Sequence, residues 1–268
     1  MKECIENADA VVIGAGAGLS TSAGLSYGEE RFKRLLLNYM NQYGLTDMYS
    51  AAFYPYKTPE EFWGYMSCHI YHNRYEQEIN DTYKNLLHLV KDKNYFVITT
   101  NVDHLFQKNG FDKERLFYTQ GDYGLFQCSV PCHDQTYDNK ELIYEMVEKQ
   151  KDFKIPTELI PLCPKCGKPM TTNLRKDNSF VQDDGWHKAM DRYSKFITEN
   201  KNKKIVFLEL GVGFNTPSII KYPFWQMTYN NKNATFISMN ANESVCAKEI
   251  MKQSILIEDD ICEFLDQL

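Results

Sequence analysis

The chain has 268 residues with 30 Lys+Arg against 36 Asp+Glu, a net charge of −6, and its 43% apolar and 25% charged content is that of an ordinary globular protein, which excludes disorder and fibrous repeats. At roughly 150 residues per domain, the length fits one large domain or a domain with substantial insertions. The acidic balance leaves no basic field to neutralise a phosphate backbone, so no nucleic-acid partner is expected. The longest apolar run near the N-terminus, Ala10 to Ile13, is too short for a signal peptide, and no stretch approaches the ~20 apolar residues of a membrane span. The expectation is a soluble, cytoplasmic protein without membrane contact.

In chain order, five short apolar runs rich in β-branched residues read as buried strands: Ala10 to Ile13, Tyr95 to Thr99, Ile205 to Leu210, Thr235 to Met239 and Ser254 to Ile257. Each is continuous rather than alternating, as in a parallel sheet covered on both faces by helices. The stretch from about Arg31 to Lys91 is helical and aromatic, and Thr58-Pro59-Glu60-Glu61 offers a capping box with Pro at the first helical position. A further helix is expected near Lys140 to Lys151, and Asp259 to Leu268 reads as a closing helix with acidic residues in its first turn.

Gly14-Ala-Gly-Ala-Gly-Leu-Ser20 directly follows the first expected strand, and small residues continue through Gly24. Such a loop brings the backbone close to a pyrophosphate at a helix start. It also fits a plain tight turn of any α/β fold. A dehydrogenase would place an acidic residue after a second strand ~20 residues on, to hold the ribose; the next region here is helical, which counts against that enzyme class. Thr99-Thr-Asn101-Val-Asp103 follows the strand ending at Thr99, at the carboxyl edge where open α/β sheets bind ligands. Asn101 supplies an amide and Asp103 a carboxylate on one short loop, although both types are also common loop formers.

Of eight cysteines, Cys4, Cys68, Cys246 and Cys262 are scattered, whereas Cys128-x3-Cys132 and Cys163-x2-Cys166 form two close pairs. With no export signal, a closed, structural Cys4 zinc site is the better reading than disulfides. Free buried thiols or a redox pair are the alternatives, and His133 could compete as a ligand, though four thiolates need no fifth. The fold expected is α/β: a Rossmann-like parallel-sheet domain from residues 1–30, 92–121 and 186–268, with a smaller lobe made of a helical module (31–91) and a zinc-binding module (122–185).

The ordered set Gly16-Ala-Gly-Leu-Ser20, Thr100-Asn-Val-Asp103, two cysteine pairs, Gly211-Val-Gly213 and Met239-Asn240 resembles the sirtuins, NAD-dependent protein deacylases. The resemblance implies an NAD site formed by Gly16, Ala17, Gly18, Leu19, Ser20 and Gly24 in the phosphate loop. Thr100, Asn101, Asp103 and Gln120 then fall at the nicotinamide ribose, Gly211, Val212 and Gly213 with Asn240 at the ribose and adenine contacts, and Asn240, Asp260 and Ile261 at the adenosine end. Asn215 and Thr216 fall just past the Gly211 segment, near phosphate or ribose.

Three departures cluster at the chemistry. Tyr118-Thr-Gln120-Gly121 stands where a deacylase carries a His-Gly whose histidine is the general base, and an amide cannot take a proton near neutrality. Ser26-Tyr-Gly-Glu29 replaces a Pro-Asp-Phe-Arg, with Arg31 as a weak substitute. Polar Asn173-Leu-Arg175-Lys-Asp177 replaces the apolar segment that pairs with an acyl-lysine peptide. These departures resemble the class M, macrodomain-linked microbial sirtuins. That resemblance implies NAD-dependent protein ADP-ribosyl transfer to a lipoylated glycine-cleavage H-like carrier, with release of nicotinamide and a linked macrodomain hydrolase that removes the mark. Asn101 would then orient the nicotinamide-side ribose or its attacking partner, Asp103 hold the carboxamide or fix the loop, and Gln120 orient ribose hydroxyls. Arg175 would bind phosphate or an acidic acceptor, or else stand as a solvated surface arginine. A residual deacylase, an NAD hydrolase and a non-catalytic NAD or ADP-ribose sensor are the rival readings. His69 and His72, three apart on an aromatic helix, offer a metal pair but read rather as partly buried core histidines, with no carboxylate at helical spacing on that face. His104, beside Asp103, offers a replacement base but reads rather as pointing along the following helix away from the pocket.

Overall fold

In a computed structural model describing residues 1–267, the chain forms nine strands: β1 Ala10–Ala15, β2 Tyr95–Thr99, β3 Leu116–Tyr118, β4 Gly121–Cys128, β5 Tyr137–Asp138, β6 Met170–Leu174, β7 Ile205–Leu210, β8 Thr235–Met239 and β9 Ser254–Ile257. Leu268, the last residue of the expected closing helix, lies outside the described residues. The chain divides into two compact units. The first comprises Met1–Gly24, Ile79–Gln120 and the segment from Gly185 onward; the second comprises Leu25–Glu78 and Gly121–Asp184.

The first unit is built on a parallel six-stranded sheet of order β3-β2-β1-β7-β8-β9. Counted as the chain enters the sheet this is 3-2-1-4-5-6, the Rossmann order, and its direction reverses between β1 and β7. Every residue of β1, β2 and β7 is buried, which is why their sequences are unbroken apolar runs rather than alternating ones. Helix Lys221–Asn230 lies against this sheet, with Phe224 5.1 Å from Phe207 between ring centres. Gly14 permits that approach, because a Cβ there would sit 2.4 Å from Ile220 and 2.6 Å from Phe224. The closing helix is Ile261–Asp266, capped by the carboxylate of Asp260.

The second unit combines a three-stranded antiparallel sheet, β5-β4-β6, with helices Glu29–Tyr43, Met48–Ala52, Pro59–Ile70 and Lys140–Lys149. Its core is aromatic: Tyr39 packs edge-on to Tyr65 at 5.6 Å, and Trp63 to Phe126 at 4.9 Å. Thr58 caps helix Pro59–Ile70, its Oγ1 accepting from the Glu61 amide at 3.3 Å. The expected reciprocal bond is shifted by one residue, since the Glu61 carboxylate accepts from the Lys57 amide at 3.0 Å. Among the described residues, no helix is long and apolar enough to cross a membrane.

Candidate functional site

At the carboxyl edge of β1 and β2 a directed hydrogen-bond network holds three of the sequence-predicted residues. Ser20 Oγ donates to Asp103 Oδ2 at 2.5 Å, because a carboxylate can only accept. Ser20 Oγ therefore accepts from Asn101 Nδ2 (3.0 Å) and from the Tyr83 hydroxyl (3.2 Å). The second Asn101 Nδ2 hydrogen goes to the carbonyl of Gly16 at 2.9 Å. Both amide hydrogens are thus spent, the amide orientation is fixed, and Oδ1 is the atom Asn101 has left to offer a ligand. Burial, with the nearby Asp103 carboxylate, pushes the Tyr83 phenol well above its ordinary range, so it remains a donor. Asp103 also accepts from the Leu105 amide at 3.0 Å, which fixes the loop at His104, a left-handed residue with φ 67°. Ser20, Asn101 and Asp103 are all buried.

The phosphate-loop glycines are explained first by packing. Gly18 N donates to Gly211 O at 2.9 Å, and Gly16 N to Leu210 O at 3.0 Å. A Cβ on Gly16 would lie 2.6 Å from Gly211 O, and one on Gly18 2.6 Å from Gly211 Cα. Gly211 itself adopts φ 60°, and its amide reaches Met239 O at 2.9 Å. The loops after β1 and β7 are therefore knitted backbone to backbone, a cradle that side chains would fill, and this fits a site built for close approach of a dinucleotide. Gly213 lies open on its side-chain face, as does Gly24, which has φ 91°. Leu19, Val212 and Ile261 are buried in the core, so only their backbones are placed to bind, while Ala17 starts the short helix Ala17–Ser22.

Thr100 N donates to Ala15 O (3.1 Å) and Asn240 N to Ile257 O (3.1 Å), extending the sheet ladder. Asp260 is committed structurally: its Oδ1 accepts from Ser22 Oγ at 2.8 Å and from the Cys262 and Glu263 amides. Asn215 and Thr216 are exposed on the loop after Gly213, and Gln120 is half-buried in the turn after β3.

The second unit holds Arg175 and Arg31. Arg175 is exposed, its guanidinium 4.9 Å from the ring centre of Phe180. Arg31 is buried and donates to Asn73 Oδ1 (2.7 Å), His72 O (3.0 Å) and Ser26 O (3.3 Å), so it pins its own unit rather than replacing a missing site arginine. Asn173 was read from sequence only as part of a polar replacement. It in fact anchors the Arg175 segment: Nδ2 donates to Val181 O (3.0 Å) and Gln127 Oε1 (2.8 Å), while Gln127 Nε2 donates to Ser179 O at 2.7 Å.

Cys128, Cys132, Cys163 and Cys166 converge, with all four sulfurs within 4.8 Å of one another. Two sulfur separations, 3.6 Å for Cys128–Cys166 and 3.7 Å for Cys132–Cys163, match the ~3.8 Å edge of a tetrahedron with metal–sulfur bonds of ~2.3 Å. Burial opposes ionisation of Cys128, but the Cys132 and Val130 amides outweigh it and bring its thiol to about 7. The four cysteines are positioned to bind a structural zinc ion. His133 Nδ1 lies 3.0 Å from Cys132 Sγ and its Nε2 2.7 Å from the Tyr137 hydroxyl, outside the cysteine set. Gly167, with φ 70°, supplies the turn after the second pair.

Among the described residues, His69 and His72 belong to no cluster of metal-ligating side chains. His69 is fully buried, Nε2 against Tyr123 OH (2.9 Å) and Nδ1 against Tyr65 OH (3.1 Å); burial, then the nearby Arg31, pushes its pKa down to about 3. The expectation that no carboxylate stands at helical spacing is corrected at His72, whose Nδ1 meets Glu76 Oε2 at 2.6 Å across a π-helical turn, Tyr71–Tyr75.

Residues 16–200 match the Sir2 family. This chain belongs to the Sir2 family. It is 39% identical over 262 residues to a protein of Staphylococcus aureus (strain Mu50) named protein ADP-ribosyltransferase, covering 97% of this chain and 83% of the relative. It is 35% identical over 234 residues to a Fusarium oxysporum f. sp. cubense protein named probable bifunctional ADP-ribose hydrolase/ADP-ribosyltransferase, covering 83% of this chain but 38% of that longer protein. Among solved structures, Sir2 bound to an acetylated peptide superposes with a TM-score of 0.64 at 18% identity, covering 99% of this chain and 94% of that one. A mutant Sir2 homologue in an ADP-ribose complex gives 0.61 at 18% identity, covering 99% and 92%. These structural likenesses confirm the sirtuin fold.

Proposed function

We propose that this Sir2 family protein is a protein ADP-ribosyltransferase of the class M subgroup that uses NAD as its ADP-ribosyl donor. Bound at the first unit, NAD supplies an activated ribose: the bond from C1′ to nicotinamide breaks, nicotinamide leaves with the bonding electrons, and the acceptor nucleophile bonds to C1′ and loses its proton to water. The chain's own part is orientation. The observation that carries the reading is the clamped Asn101 amide, whose Oδ1 is left to accept from a ribose hydroxyl or from the attacking group while Nδ2 is bound to Gly16 and Ser20. Asp103 fixes this loop through Ser20 and Leu105. Gln120 orients hydroxyls without removing a proton, which disfavours deacylation, where a base is needed. Arg175 offers a planar cationic fork for a phosphate or an acidic acceptor.

The name of the Staphylococcus aureus relative supports the transfer reaction, and that of the Fusarium relative supports a linked ADP-ribose hydrolase. The acceptor we propose is a lipoylated H-like carrier in the cytoplasm. The test mixes purified protein, NAD and that carrier, and follows carrier mass and nicotinamide together. An adduct of one ADP-ribosyl mass is expected with the wild type, and none with Asn101→Ala or Gln120→Ala. Nicotinamide release without an adduct would replace transfer by hydrolysis, and wild-type rates in either variant would remove that residue's role.

A further inference from the structure

We propose that Glu209 and Lys221 form a buried clasp whose task is to position the 211–220 loop for NAD, an inference that rests on the nucleotide-binding reading above. Glu209 is the penultimate residue of β7, and Lys221 opens helix Lys221–Asn230. The loop joining them is therefore closed at its base by a single ion pair, Lys221 Nζ to Glu209 Oε1 at 2.6 Å. Ser238 Oγ from neighbouring β8 donates to the same oxygen at 2.9 Å.

The pair is poorly designed as a stabilising device. Glu209 and Lys221 are 1% and 2% exposed, so both charges have lost their water. Among the described residues, Glu209 Oε2 has no hydrogen-bond partner, and neither does the buried Trp225 Nε1 on the helix that Lys221 opens. Burial raises the Glu209 pKa, and the Lys221 ammonium and Ser238 hydroxyl only partly offset it. A buried pair of this quality is commonly matched or bettered by apolar residues of similar size, and its best-attested use is to select one arrangement over another.

Two observations say which arrangement is selected. At the start of the loop, Gly211 is locked against Gly16 and Gly18 of the phosphate loop, so a displacement of the 211–220 segment is felt at the cradle. Within the loop, the Phe214 ring centre lies 5.1 Å from Lys221 Nζ, although Phe214 is 55% exposed. The ammonium beneath it holds the ring by cation–π attraction where packing alone does not. Lys221 thus fixes the base of the loop through Glu209 and its middle through Phe214. Gly213, Asn215 and Thr216 are displayed on either side of that ring.

The experiment measures NAD and ADP-ribose affinity by calorimetry, alongside thermal unfolding, for Lys221→Met, the double variant Glu209→Met/Lys221→Met, Phe214→Ala and the triple combination. Lys221→Met alone should lower the unfolding midpoint, because it leaves a buried carboxylate unpaired, and the double variant should recover it. NAD affinity in the double variant should nevertheless stay about tenfold weaker, as expected when a binding group is misplaced rather than removed. Phe214→Ala, an exposed change that folds normally, should weaken NAD on its own and add nothing in the double background. Wild-type affinity in the double variant, or additive losses from Phe214→Ala, overturns the clasp. A wild-type protein that binds neither nucleotide overturns the NAD reading instead, so the two failures are distinguishable.

Discussion

Ser20 has a single proton, and the structure spends it on Asp103, so two further donors, Asn101 and Tyr83, converge on its oxygen. Removing that oxygen takes a donor from the Asp103 carboxylate and the acceptor from both an Asn101 amide hydrogen and the Tyr83 hydroxyl, all in a buried setting. Ser20→Ala should therefore cost about 1–3 kcal/mol of stability, the usual penalty for unsatisfied buried groups. It should also reduce nicotinamide release more than tenfold, because Asn101 can then rotate. Urea unfolding and a nicotinamide assay check the two effects, and an unchanged kcat/KM would dismiss the network as catalytic scaffolding. His69 gives a second prediction at this scale. The unfolded chain takes up a proton at this imidazole below about pH 6.5, whereas the folded protein refuses it until about pH 3. His69 therefore leaves stability intact above 6.5 and erodes it as the pH falls through that window, by up to about 1.4 kcal/mol per pH unit. Urea midpoints taken from pH 7 to 5 should fall more steeply for the wild type than for His69→Gln; parallel slopes would contradict the buried neutral imidazole.

Among elements, the junction of β1 and β7 carries the most information. Gly18→Ala would place a Cβ 2.6 Å from Gly211 Cα, backbone against backbone with no flexible side chain to yield. A loss of about 1–3 kcal/mol is expected from such overpacking, together with weakened ADP-ribose binding by calorimetry. Wild-type affinity in that variant would show the two loops to be independent. This junction was legible in sequence because buried parallel strands are unbroken apolar runs, and four of the five expected strands have the observed limits, Tyr95–Thr99 among them. β3 was not legible: three residues are too few for any period, and its strand character comes from pairing with β2. β4 was hidden by Gly121, Asp122, Gly124 and Gln127, polar or flexible residues whose burial depends on distant partners. Asn173 illustrates the limit for the site. Its partner Gln127 is 46 residues away, so nothing local separates an anchor from a surface amide. Gln127→Leu tests that anchor: transfer should fall while NAD affinity holds, and an unaffected transfer rate would leave the Arg175 loop without need of it.

At the scale of the whole molecule the chain maintains two cores of different kinds. The first unit has a long apolar interior between sheet and helices, exemplified by Phe207, Phe224, Phe236 and Ile250, and needs no metal to bury it. In the second, β4 and β6 bear on the cysteine cluster at Cys128 and Met170, and Cys163 and Cys166 occupy a turn closed by the bond from Gly167 N to Cys163 O at 2.8 Å. β5 contributes two residues, so this three-stranded sheet has little cohesion of its own. A structural zinc there supplies folding free energy directly, since four thiolates gathered without a cation repel one another. One zinc per chain is expected by elemental analysis. Chelation should then lower the unfolding midpoint and abolish protein modification, while calorimetry still detects ADP-ribose bound to the metal-depleted protein, because Asn101, Ser20, Asp103 and the Gly16–Gly211 contact all belong to the first unit. Restoring zinc should restore transfer. Nucleotide affinity that vanishes in step with the zinc would mean that the first unit does not hold its site alone, and unchanged transfer after complete removal would strip the metal of its structural role.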